Sequence, residues 1–285
     1  MIKRVIIPVL LLLMGSFSQS IMAQGRVTDD GTRMLDECRA LFTQGDYDAA
    51  GTLLAEWEKV YTAASPNRTE EIEFMRAVID AERDPVAAME SMDRFMDKYP
   101  HSIYTNRLLL HMGTGHFARH EYQAAVVYFD DCDPLMLEEE ECHKLIRYYA
   151  ISLIRIGNIE DGSLQLGILE QLIEEPEVDP DVIFYQAYLD YRRGQIVSAR
   201  DGFEYSLQTS HADEARLYLA DMDLRSSSDN KEAFETASRM IDKSDDPMLE
   251  AEAERILGEY WFRKGDYRKA QELLTSYLSK AKSAD

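Results

Sequence analysis

The nonapeptide FTQGDYDAA, from Phe42 to Ala50, returns almost unchanged as FRKGDYRKA, from Phe262 to Ala270. Weaker copies of its turn occur at Arg83 (RDPVAA), His120 (HEYQAA), Gly157 (GNIEDG), Gly194 (GQIVSA) and Asp229 (DNKEA), so that a turn recurs roughly every 37 residues. A fixed period in this range marks stacked supersecondary units, none of which can bury its own apolar face alone. The GDY turn is therefore read as a structural part, not an active site.

Apolar positions fall at helical spacing on both sides of each turn. Leu109, Met112 and His116 precede one turn, and Ala125, Phe129 and Cys132 follow it. Each unit reads as two antiparallel helices. Small residues recur where the helices must approach: Gly113, Ala150, Ala187 and Gly258 in first helices, and Ala50, Ala88, Ala125, Gly162, Ala199, Ala233 and Ala270 in second helices. Pro66, Pro100, Pro134, Pro176 and Pro247 are read as stops after second helices. The expected fold class is all-α.

These residues carry a resemblance to the tetratricopeptide repeat family, whose pattern places Gly or Ala in the first helix, an aromatic just after the turn, Ala three residues later and Pro at the end. The segment DKYPHSIYTNRLLLHMGTGHF, Asp97–Phe117, is also similar in style to envelope tetratricopeptide proteins of Gram-negative bacteria, of the outer-membrane assembly and Tol-Pal types. The resemblance implies an α-solenoid of about seven helix-turn-helix repeats forming a right-handed superhelix. Repeats are expected at approximately 31–68, 69–105, 106–142, 143–179, 180–213, 214–250 and 251–285, after a short segment at 24–30.

Lys3 and Arg4 followed by an apolar run from Val5 to Met14, a serine-rich stretch and Ala23 read as a cleaved secretory signal peptide over residues 1–23. Pro8, Gly15 and the serines interrupt the run short of a membrane span. The expected location is the periplasm, with association at the outer membrane, or secretion as the alternative, and no transmembrane span in the mature chain. The formal net charge is −22, and losing Lys3 and Arg4 makes it two units more negative. Such a chain repels phosphate backbones, which argues against nucleic acid as a partner.

The resemblance implies a non-catalytic scaffold that binds a peptide or partner protein on a concave surface lined by first helices. Helical projection places Arg107, Phe117, Lys144, Arg147, Phe184, Tyr188, Tyr191, Arg192, Tyr218 and Arg225 on or near that groove, opposed by Asp181. A cationic, aromatic-flanked groove would suit an acidic peptide. The plainer alternative is that each arginine pairs with carboxylates on its own helix. A structural subunit of an outer-membrane or secretion assembly, docking by its convex or C-terminal surface, is the other scaffold reading. An envelope hydrolase is the contrasting class.

Few residues of the pattern suggest chemistry. His116 and His120 share a helical spacing, but His116 stands where the repeat packs an aromatic and His120 stands at the turn, so no metal and no cofactor is expected. The acidic runs Glu138–Glu141 and Glu174–Glu175 are read as solvated charge in loops between repeats. Cys132 and Cys142 flank one such loop and could staple it as a disulfide, while Cys38, at a small-residue position, reads as a buried thiol. The last helix, with Leu273, Leu274, Tyr277 and Leu278, has no polar capping helix after it, from which self-association through the C-terminal repeat is expected.

Overall fold

A computed structural model describes residues 30–61, 66–83, 85–227, 229–243 and 247–283. The expected signal peptide, residues 1–23, lies outside them. The described residues form fourteen α-helices and no strand. They run α1 (residues 30–43), α2 (Tyr47–Val60), α3 (Pro66–Arg83), α4 (Pro85–Lys98), α5 (Thr105–Ala118), α6 (Tyr122–Asp130), α7 (Glu139–Arg155), α8 (Ile159–Leu172), α9 (Pro180–Arg193), α10 (Ile196–Ser206), α11 (Ala212–Ser226), α12 (Lys231–Lys243), α13 (Pro247–Arg263) and α14 (Tyr267–Ser283). The fold class is an α-solenoid of helical repeats. The described residues divide into two compact units, one up to Leu108 and the other from Leu109 onward.

The turns explain the repeated nonapeptide. Gly45, Gly157, Gly194 and Gly265 all adopt φ between 78° and 87°, and His120 takes φ 61° in the same role. This left-handed residue lets the next amide reach back to a carbonyl five residues earlier: Asp46 to Leu41, Glu121 to His116, Asn158 to Leu153, Gln195 to Asp190 and Asp266 to Trp261. The chain thereby closes one helix with a Schellman-type cap and is aimed into the next. The aspartate of GDY then caps the second helix, since Asp46 accepts from the Ala49 amide and Asp266 from the Lys269 amide. The tyrosine meets the phenylalanine of the preceding helix edge to face, in the pairs Phe42–Tyr47, Phe117–Tyr122 and Phe262–Tyr267, at 5.4–5.5 Å between ring centroids.

In the first unit, Leu35, Cys38, Ala50, Leu54 and Trp57 are buried, and the Trp57 indole N–H donates to the Gly31 carbonyl at 2.7 Å. Cys38 is the expected buried thiol and donates to the Ala50 carbonyl at 3.4 Å. Phe74 of α3 stacks on Tyr104 at 4.6 Å. Arg39 of α1 pairs with Glu71 of α3.

In the second unit the small residues mark the closest helix approaches. A methyl group at Gly113 would sit 2.3 Å from the buried Phe129 ring, at Gly162 2.6 Å from Ile154, at Gly202 2.7 Å from Ala187, and at Gly258 2.7 Å from Leu274. Ala150, Ala187 and Ala199 are essentially inaccessible. A core of Ile154, Leu166, Leu169, Phe184, Leu189 and Phe203 runs through α7–α11, and a second of Leu217, Leu224, Ala237, Ile256 and Leu257 runs through α11–α13.

Two expectations change in detail. Pro66 and Pro247 open first helices, where a missing N–H costs nothing, as well as following second ones. Glu139, Glu140 and Glu141 lie in the first turn of α7 and not in a loop. Glu138 caps that helix in a capping box with Glu141, which places carboxylates at the positive end of the helix dipole.

The glycines make a paired test. Gly113→Ala gains up to about 1 kcal/mol of helix propensity but collides with Phe129, an overpacking cost of about 1–3 kcal/mol, so it is expected to lower stability. Gly167, in α8, has open space around its missing methyl, so Gly167→Ala is expected to raise stability by about 0.5–1 kcal/mol. Urea denaturation of both variants checks the opposite signs.

Candidate functional site

The first helices of the second unit carry most of the residues expected in a groove, and the structure sorts them into three groups. Phe184 and Tyr218 are corrections: they are core, only 1% and 5% exposed. Phe184 stacks on His211 at 4.4 Å, and Tyr218 stacks on Phe203 at 5.2 Å. Their apolar area is consumed by packing between neighbouring helices and is not available to a partner.

Arg147 and Arg225 form the second group, and they are already paired. The Arg147 guanidinium donates to both carboxylate oxygens of Asp179 at 2.8 Å and to Asp181 at 2.7 Å. Asp179 is itself the N-cap of α9 and accepts from the Asp181 and Val182 amides. Asp181 pairs onward with His211 at 2.8 Å, and His211 lies 3.4 Å from Glu214, whose other oxygen takes the Arg155 guanidinium. Arg155 also donates to the Tyr185 hydroxyl at 2.9 Å. Further along, Arg225 bridges Asp221 and Glu259, and Arg255 bridges Glu252 and Glu259. The Tyr191 hydroxyl donates to the buried Asp221.

Charges in this ladder shift one another. Burial works against the Glu214 carboxylate, but the Arg155 charge and the His211 bond outweigh it and hold its pKa at about 2. Burial alone would discharge His211, yet hydrogen bonds to Asp181 and Glu214 lift its pKa to about 9. Asp179 and Asp181 are lowered against the pull of burial by Arg147, with His211 acting on Asp181 as well. Arg147, Arg155 and protonated His211 thus balance Asp179, Asp181 and Glu214. Around Arg147 the expected cationic groove is corrected to a neutral lattice whose carboxylates come from the next helical pair and not from its own helix, whereas Arg225 does pair with Asp221 of its own helix.

A third group remains accessible. Lys144 is exposed with its ammonium 5.9 Å from the Tyr148 ring, and Phe117 stacks on Tyr148 at 4.4 Å. Arg192 is exposed and donates to the Tyr188 hydroxyl at 2.8 Å, while Tyr188 and Tyr191 are half-buried. Arg107 belongs to the first unit, where its charge acts on Tyr104.

Cys132 and Cys142 are free thiols and form no disulfide. Burial pushes the Cys132 thiol up to about 12. His116 is buried, stacks on Tyr128 at 5.2 Å and lies 2.6 Å from Glu121, while His120 lies 2.9 Å from the Tyr122 hydroxyl. Each histidine is engaged in local packing and bonding. Among the described residues no helix is long and apolar enough to cross a membrane.

The second helices carry what sequence reasoning did not place. Leu164, Ile168 and Leu172 are exposed one turn apart along α8, and Ile196 and Val197 are exposed at the start of α10. Leu135 and Met136 are exposed on the short 3-10 turn at Pro134–Met136. The spacing of four in Leu164, Ile168 and Leu172 was the available signal. A cleft of about 340 Å³ also opens between α8, α9 and α10.

No protein-family profile matches this chain, and no curated protein matches it in sequence. Solved structures do. PilF of Pseudomonas aeruginosa is similar with a TM-score of 0.50 at 13% identity, over 75% of this chain and 91% of that one. The Rap conjugation gene regulator of the plasmid pLS20, in complex with the Phr* peptide, gives 0.46 at 14% identity, over 87% and 72%. The C-terminal part of a TPR repeat-containing protein from Cytophaga hutchinsonii gives 0.43 at 16% identity, over 87% and 98%. The likeness to PilF is one of fold.

The ladder makes a pH prediction. The folded pKa of His211, about 9, lies above its ordinary 6.5, so its contribution is complete below about pH 6.5 and is lost as pH rises through about 9. That shift corresponds to about 3 kcal/mol. The stability difference between the wild type and His211→Gln, from urea denaturation, is expected to shrink by about 2–3 kcal/mol between about pH 6 and pH 10. A difference that stays constant contradicts the pairing.

Proposed function

We propose that this protein is a non-catalytic interaction scaffold of the bacterial cell envelope that holds a partner protein or peptide against the second-helix face of its second unit. The single observation that carries this reading is the exposed row of Leu164, Ile168 and Leu172 along α8. Scattered surface leucines are ordinary, but a one-turn row is the pattern by which a helix docks on a partner. The first-helix face suits that role less well, since Arg147 and Arg225 are spent on carboxylates and Phe184 and Tyr218 are buried. The envelope location rests on Lys3 and Arg4, the apolar run from Val5 to Met14 and the small residue Ala23 that follows the serine-rich stretch.

A second contact is favoured by Phe262, Tyr267 and Leu278, which are 60%, 64% and 56% exposed on α13 and α14. In this reading they form a self-association surface. Sedimentation of the wild type and of Phe262→Ser/Leu278→Ser is expected to show a concentration-dependent dimer only in the former.

The scaffold role is tested in the native host with a photo-crosslinking residue placed at Ile168, or at Arg192 as the first-helix control. One envelope protein is expected to crosslink from Ile168 and not from Arg192. Crosslinks from Arg192 alone would move the site to the first-helix face, and none from either position would remove the scaffold reading.

A further inference from the structure

The cleft of about 340 Å³ lies between the second helices α8 and α10, with α9 as its floor. Val182, Ile183 and Ala187 supply an apolar base, and Ser198 and Gly202 line the α10 side, Gly202 where that helix presses closest on Ala187. Three carboxylates line the same cleft: Glu170, Glu177 and Asp190. Glu170 accepts a hydrogen bond from the Gln186 amide, and Asp190 accepts one from the Ser198 hydroxyl at 2.6 Å. No lysine or arginine lines the cleft, and among the described residues none pairs with these three carboxylates. The contrast with the first-helix face of the same unit is direct, because there each carboxylate of the ladder meets a cation.

We propose that this cleft docks a basic segment of the partner protein, with a Lys or Arg side chain laid into it. The inference rests on the scaffold reading above and replaces the acidic partner expected from the sequence with a basic one. The chemistry matches part for part. A Lys or Arg side chain has an apolar stem that packs on Val182, Ile183 and Ala187, and a charged head that donates to carboxylates. A volume near the low end of the range for small-ligand clefts, about 300–1,000 Å³, suits a side chain better than a large cofactor. Glu177 is exposed at the rim, and the chain's net charge of −22 draws a cationic segment toward it.

The test uses the full chain and a fluorescein-labelled Arg-Ala-Ser peptide, with its Glu-for-Arg counterpart, read by anisotropy. Since any acidic protein attracts a cation, the decisive comparison is between two variants with the same change of charge. One is Glu170→Gln/Glu177→Gln/Asp190→Asn in the cleft, and the other is Asp131→Asn/Glu139→Gln/Glu140→Gln on the surface. The cleft variant is expected to bind the Arg peptide at least about tenfold more weakly, and the surface variant to stay near wild type. Ser198→Arg, which supplies the cleft with its own cation, is expected to block the peptide too, and it keeps the test decisive if the triple variant does not fold.

Equal weakening by both triple variants overturns the proposal, as does equal binding of the two peptides by the wild type. Crosslinking from Ile168 separates the two levels. A partner captured equally by wild type and cleft variant ends the basic-segment proposal and leaves the scaffold standing. A wild type that binds the Arg peptide but captures no partner ends the scaffold reading alone.

Discussion

The structure depends on how closely two helices of a pair can approach. Each crossing in the second unit is set by a residue with little or no side chain, and at Gly113, Gly162, Gly202 and Gly258 even a methyl group would strike the facing helix. That distance lets Phe129, Leu166, Leu169 and Phe203 reach the next helix and fill the space between pairs. The turns serve the same end, because a left-handed Gly followed by a capping Asp or Asn fixes the angle at which the second helix returns.

A stack built this way has two kinds of surface, and electrostatics separates them. On the first-helix side, Arg147 and His211 find carboxylates two helices away and Arg155 finds Glu214 four helices away, so charges that look available are consumed. On the second-helix side, among the described residues no cation pairs with Glu170, Glu177 or Asp190, and an apolar row on α8 faces solvent. Unburied apolar area is unfavourable for the isolated chain, and carboxylates without a cation beside them remain open to one from outside.

Much of this was legible in the sequence, and the failures have physical causes. The GDY copies announced the turns, and the small residues announced the crossings, because both are local requirements. Phe184 and Tyr218 were misplaced because first helices in the middle of a stack contact neighbours on three sides, so the stripe open to solvent is narrow and a shift of one residue, 100° of rotation, moves a side chain into the core. The partners of Arg147 were missed because Asp179 and Asp181 sit at the start of the next first helix, where a search along the arginine's own helix does not look. The cleft was invisible because it joins Ser198 and Gly202 of α10 to residues of α8 some thirty positions earlier, which no local pattern pairs.

The central claim is that core packing passes stability from each helical pair to its neighbours, although an ion pair such as Arg155–Glu214 reaches further. In the second unit, helix packing runs between elements adjacent in the chain or one apart, such as α11 with α13. Hydrogen exchange, read helix by helix in the wild type and in Gly258→Val, tests this most directly. The substituted side chain meets Leu274, so protection is expected to fall in α13 and α14, less in α11 and α12, and not in α7 and α8. An equal loss of protection across α7–α14 would contradict the account, since it would mean that the pairs share one indivisible core.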